Sequence, residues 1–321
     1  MSARPTIWLT RKLTDATEKR AKRDYEVIFN PGDVAPDADE IVAMSGRVDA
    51  ILPCHSERFG ADVVGRMADR VRIIANHSVG VDHCDLAALA AKGVVVTNTP
   101  DVLSDATAEI AMLLLLGAAR RAVEGDHMVR TGEWSFWSPS FMVGTQVTRK
   151  RVGIVGMGRV GQVMAARCRG FAMQVHYHNR ARLEPGLENG AIYHESLESL
   201  LAVSEFLSLH CPATAETTGL MNAARLALLP EGAILVNTAR GALVVEDDLI
   251  AALGSGHLAA AGLDCFRTEP GGNPKMAAHR NIFMLPHIGS ATRETRDAMG
   301  FRALDNIDAF FRGEEPGDRV A

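Results

Sequence analysis

Residues Arg151–Gly170 read RVGIVGMGRVGQVMAARCRG, and this stretch decides the fold. An apolar run, Val152–Val155, leads into Gly156-Met157-Gly158-Arg159-Val160-Gly161, after which the spacing turns helical and a second strand-like run, Gln174–Tyr177, follows. Strand, glycine turn, helix and strand in that order open a dinucleotide-binding βαβ unit. The first glycine permits the tight turn, the second lets the backbone approach a pyrophosphate, and the third lets helix and strand pack closely. The N–H groups of Arg159, Val160 and Gly161, at the positive end of the helix, are then available to phosphate.

The end of the second strand selects the cofactor. NAD-dependent proteins usually carry an Asp or Glu there, about 20 residues on, to bind the ribose 2′-hydroxyl. Here the row is His176-Tyr177-His178-Asn179-Arg180. Asn179 can donate a hydrogen bond and Arg180 can pair with a 2′-phosphate, which an acidic residue would repel. The expected cofactor is NADP(H), with NAD(H) as the second possibility.

On the C-terminal side, strands are expected near Glu205–Leu209, Ala233–Asn237, Ala260–Asp264 and Ile282–Leu285, so the parallel series continues. On the N-terminal side, up to about Asn98, short β-rich runs (Thr6–Leu9, Glu26–Phe29, Asp49–Leu52, Arg72–Ala75, Val94–Thr97) alternate with helix-compatible segments such as Thr14–Arg23 and Asp85–Lys92. Between the two series, Ser104–Asp105 introduce an Ala/Leu/Met-rich helix expected to run through Arg121 and to join two domains, followed by a Trp- and Pro-bearing loop over Gly132–Gly144. Thr292 to Phe311 has helical spacing and is expected to pack back on the first series. The expected class is α/β with two doubly wound parallel-sheet domains. A Rossmann-type nucleotide-binding domain, residues 104–289, is inserted into a substrate domain built from 1–103 and 290–321. Ligands of such sheets bind beyond the carboxyl ends of the strands.

Composition agrees with this plan and removes other function classes. A chain of 321 residues with 47% hydrophobic and 23% charged residues can bury two cores. A net charge of -5, with acids and bases intermixed, gives no electrostatic reason to expect nucleic acid or a membrane surface as partner. Cys54, Cys84, Cys168, Cys211 and Cys265 are odd in number and form no CxxC pair, which argues against a disulfide framework and fits a reducing cytoplasm. The start, MSARPTIWLT, has no long apolar region or small-residue cleavage site, so a secretory leader is not expected. His55, His77, His83, His176 and His178 lack ligand spacing with supporting carboxylates and are read as structural, as are Cys211 and Cys265; no metal is expected.

Three polar residues fall just past predicted strands of the second sheet: Arg240, Glu269 and His287. An arginine there can bind a substrate carboxylate through two hydrogen bonds and polarise an adjacent carbonyl. A histidine can give the carbonyl oxygen its proton while hydride reaches the carbon. A carboxylate beside the imidazole holds its orientation and favours its charged form. The set suits reduction of a 2-oxo acid.

The segments carrying these residues, NTARG at Asn237–Gly241, GLDCFRTEP at Gly262–Pro270 and LPHIGSAT at Leu285–Thr292, resemble the signatures of the D-isomer-specific 2-hydroxyacid dehydrogenase family. The resemblance extends over nearly the whole chain. It implies Arg240, Glu269 and His287 as substrate arginine, acidic partner and acid/base. SVGVDHCDL at Ser78–Leu86 resembles the family's substrate loop, in which the backbone of Val79 and Gly80 would hold the carboxylate. DATAEIAMLLLL resembles the family's interdomain helix, and HCPATAETTGLMN the segment lining the cofactor cleft, which implies cofactor contacts at His210, Cys211, Pro212 and Thr217. Thr238, Ala239, Asp264 and Gly289 are implied in the same cleft, Asp264 near the nicotinamide amide.

Within the family, HYHNR together with WSPSFMVG at Trp137–Gly144 is similar to glyoxylate and hydroxypyruvate reductases. That implies a homodimer formed through the nucleotide-binding domains, with Trp137 reaching toward the partner's substrate. The same scaffold also admits a nucleotide-sensing binding protein of corepressor type, an NAD-linked dehydrogenase for another 2-hydroxy acid, or a formate-dehydrogenase-like enzyme. The intact Arg–Glu–His set argues against the first, and Glu269 against the last, where a glutamine is expected.

Overall fold

Short runs of two to six residues, mostly rich in valine, isoleucine, leucine and alanine and bounded by turns, pair side by side in two all-parallel sheets. The structure is a computed structural model and describes residues 4–321. The chain divides into two units, one formed by residues up to Leu103 together with Ser290–Ala321, the other by Ser104–Gly289.

The first unit contains β1 (Thr6–Leu9), α1 (Asp15–Asp24), β2 (Glu26–Ile28), α2 (Ala38–Ser45), β3 (Ala50–Leu52), α3 (Ala61–Arg66), β4 (Ile73–Ala75), α4 (Leu86–Ala91) and β5 (Val95–Thr97). Its strand order, β2-β1-β3-β4-β5, is the flavodoxin-like order. Trp8, Ile51, Ile74 and Val96 fill one face and Ile7, Leu9, Leu52 and Ile73 the other.

The second unit begins with α5 (Ser104–Ala119) and α6 (Ala122–Thr131), then runs β6 (Arg151–Val155), α7 (Arg159–Gly170), β7 (Gln174–His178), α8 (Pro185–Glu188), β8 (Ile192–Tyr193), α9 (Leu197–Leu201) and β9 (Phe206–Leu209). It continues with α10 (Ala223–Leu226), β10 (Ala233–Asn237), α11 (Glu246–Gly254), β11 (Leu258–Leu263) and β12 (Ile282–Met284). The strand order is β12-β11-β10-β9-β6-β7-β8. The chain therefore reverses direction across the sheet between β6 and β9, and a crevice opens beyond the carboxyl ends of those two strands. All five β10 residues, AILVN, are buried, as a strand covered by helices on both faces requires. The last helix, α12 (Arg293–Phe311), returns to the first unit, where Ala303, Leu304 and Ile307 join the core beside β1 and β4.

Two differences from the sequence reading have physical causes. The helix expected through Arg121 ends at Ala119, because the N–H of Thr145 takes the Ala119 carbonyl at 2.7 Å and Arg121 adopts a left-handed conformation, φ 53°. A second helix, α6, then follows over a segment that buries no residue and contains Gly125, Val123 and Val129, weak helix formers. β8, only two residues long, is likewise absent from the expected strands. Among the described residues, no helix is long and apolar enough to cross a membrane.

Candidate active site

The β6–α7 turn is built by close approach. Gly156 has φ +93°, and a Cβ there would lie 2.6 Å from the backbone nitrogen of Cys211, so the turn and the end of β9 meet only through a glycine. At Gly161 a Cβ would lie 2.3 Å from the Gly156 carbonyl oxygen, whereas at Gly158 nothing lies within 4 Å. The turn is thus tight on the protein side and open on the other. Gly158 is the N-cap of α7 and supplies no side chain to cap it, so the first N–H groups of the helix face outward uncapped. Open space at Gly158 and an uncapped helix start fit a pyrophosphate.

Beyond β7 the Asn179 Oδ1 accepts the N–H of Met157 at 2.7 Å, which fastens Asn179 to the glycine turn and directs its Nδ2 donor elsewhere. Arg180 is exposed, and its charge is felt by Glu216, whose carboxyl is held low first by the Thr214 hydroxyl and also by Arg180. Arg182 is exposed but paired: its Nε and Nη2 lie 2.7 and 3.0 Å from the Glu188 carboxylate, which also accepts the Tyr177 hydroxyl at 2.7 Å. The Tyr177 oxygen in turn accepts the Leu183 N–H at 3.1 Å. These bonds hold Glu188 down at about 2, the Arg182 guanidinium being the first cause, and they brace the loop between β7 and α8. Both loop arginines are exposed, and Arg182 is the one committed to a carboxylate of its own loop.

After β9, His210 lies beside Ser208, Nε2 to Oγ 2.8 Å, and burial pushes its imidazole down to about 4. Burial raises the Cys211 thiol to about 11 and the Cys265 thiol well above its usual range, so neither is a thiolate nucleophile at neutral pH. The Thr217 hydroxyl accepts from Thr214 N–H and donates to the Pro212 carbonyl, so it shapes its own loop. Thr238 differs. Its hydroxyl is buried and has no hydrogen-bond partner among the described residues.

The turn that carries Arg240 is braced by Asn237, a residue the sequence reading passed over. Asn237 is 1% exposed, its Oδ1 accepts the Ala239 N–H at 3.0 Å, and its Nδ2 donates to the Arg240 carbonyl at 2.9 Å. Gly241 lets this turn abut the next loop, since a Cβ there would fall 1.9 Å from the Phe266 carbonyl carbon. That loop carries Glu269, and Glu246 on α11 ties it down by accepting the Arg267 N–H at 2.9 Å and the Asn273 Nδ2 at 3.0 Å.

Glu269 Oε1 accepts the Phe266 N–H at 2.7 Å, and its Oε2 lies 2.6 Å from His287 Nδ1. His287 itself sits at φ 54°, a conformation costly for a non-glycine residue, directly after Pro286. Asp264 locks the backbone that follows: its carboxylate accepts the N–H groups of Ile288 at 2.8 Å and Gly289 at 2.7 Å. Burial raises the Asp264 carboxyl, while those two bonds and the His287 charge act against the rise. Burial is the first cause of the raised Cys265 thiol, and the charges of Glu269 and Asp264 act in the same direction while that of Arg240 opposes them. Trp137, expected at the substrate, is 73% exposed in the loop after α6, which rules out a packed position within its own unit.

In the first unit, Val79 and Gly80 lie on the loop Ser78–His83 after β4, Val79 exposed and Gly80 half-buried between the buried ends Ser78 and His83. The loop is anchored by His83, whose Nε2 lies 2.7 Å from the Asn76 Oδ1.

These features make the second unit a Rossmann-type dinucleotide-binding domain. The profile described as "D-isomer specific 2-hydroxyacid dehydrogenase, NAD binding domain" matches residues 112–289. The chain is 43% identical over 311 residues to a glycerate dehydrogenase of Hyphomicrobium methylovorum, covering 96% of this chain and 97% of that one. It is 41% identical over 318 residues to a glyoxylate reductase of Thermococcus kodakarensis, covering 98% and 95%. Among solved structures, an NADPH-dependent glyoxylate/hydroxypyruvate reductase of Sinorhizobium meliloti, in complex with NADP and malonate, superposes with a TM-score of 0.87 at 32% identity, covering 99% and 97%. The chain belongs to the D-isomer specific 2-hydroxyacid dehydrogenase family.

Proposed function

We propose that this chain uses NADPH to reduce a small 2-oxo acid, glyoxylate to glycolate or hydroxypyruvate to D-glycerate. The observation that carries the reading is the Glu269–His287 pair, 2.6 Å apart at the sheet edge that also bears the dinucleotide turn. When bound, the reduced nicotinamide supplies the hydride that reaches C2 of the substrate. A carboxylate only accepts, so the Nδ1 of His287 carries the proton shared with Glu269, and Nε2 is the nitrogen that delivers a proton to the substrate oxygen. Arg240 binds the carboxylate and stabilises the charge developing on that oxygen. In the first unit, the N–H groups of Val79 and Gly80 bind carboxylate. Steady-state consumption of NADPH with either acid tests the assignment.

NADPH is favoured over NADH by Asn179 and Arg180 in place of an acid, and by the cofactor of the Sinorhizobium meliloti neighbour. Gly156, Gly158, Arg159, Val160 and Gly161 would hold the pyrophosphate, and Thr238, Ala239 and Gly289 line the same crevice. The named relatives are a dehydrogenase and reductases, which supports an enzyme over the corepressor-type binding protein. The five free cysteines fit a cytoplasmic setting.

The active form would be a homodimer joined through the second unit. Val123, Val129, Trp134, Phe136, Trp137 and Val143 are all exposed on and after α6, large apolar side chains that a partner subunit would cover. Sedimentation equilibrium should return about twice the mass of one chain, and a monomer at micromolar concentration would refute this assembly.

A further inference from the structure

The loop Ser78–Gly80 has three successive carbonyl groups, and each is held by a named donor. The Thr99 N–H donates to the Ser78 carbonyl at 3.0 Å, the Asn98 Nδ2 to the Val79 carbonyl at 2.9 Å, and the Ser78 Oγ to the Gly80 carbonyl at 2.8 Å. A trans peptide sets the carbonyl of one residue opposite the N–H of the next. Fixing the Ser78 carbonyl therefore aims the Val79 N–H, and fixing the Val79 carbonyl aims the Gly80 N–H. Among the described residues, neither N–H takes part in any hydrogen bond. Two adjacent backbone donors held outward by their own carbonyls form a cradle for an anion.

Only one of the two aiming bonds comes from a side chain. Asn98 stands at the end of β5, half-buried, with its own backbone secured: its N–H donates to the Asp318 carbonyl at 3.2 Å, and the Asn306 Nδ2 donates to its carbonyl at 3.4 Å. The amide is thus presented from a fixed base. Without it, the Val79–Gly80 peptide has no partner holding its plane, and a rotation of that plane would turn the Gly80 N–H away.

We propose that Asn98 is a positioning residue for substrate, orienting the Gly80 N–H to receive the carboxylate of the 2-oxo acid. The proposal rests on the reading that Val79 and Gly80 bind that carboxylate. Asn98→Asp tests it, because the side chain keeps its shape and presents only acceptors to the Val79 carbonyl. The expected result is a rise in KM for glyoxylate of about tenfold or more, with kcat within about threefold of wild type and the KM for NADPH unchanged. Asn98→Ala, which deletes the donor without adding charge, should shift the same KM in the same direction, and it serves if the aspartate variant does not fold. A merely structural role would lower the thermal midpoint and the yield of active enzyme while leaving the glyoxylate KM in place. An unchanged KM for glyoxylate in a folded variant of an active enzyme overturns the positioning role alone. Absence of turnover in the wild type would instead overturn the functional reading beneath it.

Discussion

His287 turns its Nδ1 to within 2.6 Å of Glu269 Oε2, and Glu269 is held from the other side by the Phe266 N–H. The pair fixes both the orientation and the tautomer of the imidazole, so Glu269 acts through His287. Glu269→Gln keeps the shape but offers an amide that can face the ring with either atom. It should lower kcat by about 10- to 100-fold at neutral pH, less than removal of the imidazole itself. Steady-state kinetics at saturating substrate will measure it, and a wild-type kcat would remove Glu269 from the mechanism.

Arg182 is committed to Glu188, whereas Arg180, exposed and adjacent to Asn179, is the guanidinium proposed to meet a 2′-phosphate. Arg180→Ala should cut kcat/KM with NADPH by about tenfold or more, the worth of a charge-assisted bond to phosphate, while the value with NADH changes little. Equal losses with both cofactors, or none, would deny Arg180 its part in selecting the 2′-phosphate.

His77 gives the first unit an acid limit. It is 4% exposed, its Nε2 lies 3.3 Å from the Arg296 carbonyl, and its Nδ1 has no hydrogen-bond partner. Burial, then the nearby Arg296 charge, push the imidazole from 6.5 down to about 4. The unfolded chain therefore takes up this proton first as pH falls. The stability His77 confers is complete above pH 6.5 and is lost as the pH drops from 6.5 toward 4, by roughly 3 kcal/mol in all. His77→Asn should flatten the pH dependence of urea unfolding across that interval. An unchanged slope would show that His77 titrates normally in the folded protein.

The parallel sheets were legible because short β-rich runs and turns recur with crossover helices between them, and because GMGRVG stands between an apolar run and a helical one. What escaped notice lacked such a pattern. The α6 segment AVEGDHMVRT carries a glycine and two valines, weak helix formers, and Ile192–Tyr193 is too short to show alternation. At the site, Arg240, Glu269 and His287 could be read from their places after strands, whereas the residues that brace them could not. Asn237 had one local clue, an asparagine at the start of a tight turn. Glu246 meets its partners 21 and 27 residues along the chain, and Asn98 meets Val79 across 19, distances at which side-chain pairing leaves no trace in one sequence.

The central claim is that 2-oxo acid reduction proceeds with His287 delivering the proton, and NADPH oxidation at 340 nm, about the absorbance maximum of the reduced ring, follows it directly. Wild-type protein should turn over glyoxylate or hydroxypyruvate, and His287→Ala should lose about 10²- to 10⁴-fold in kcat. No turnover of either acid by the wild type, or a wild-type rate in His287→Ala, would contradict the account.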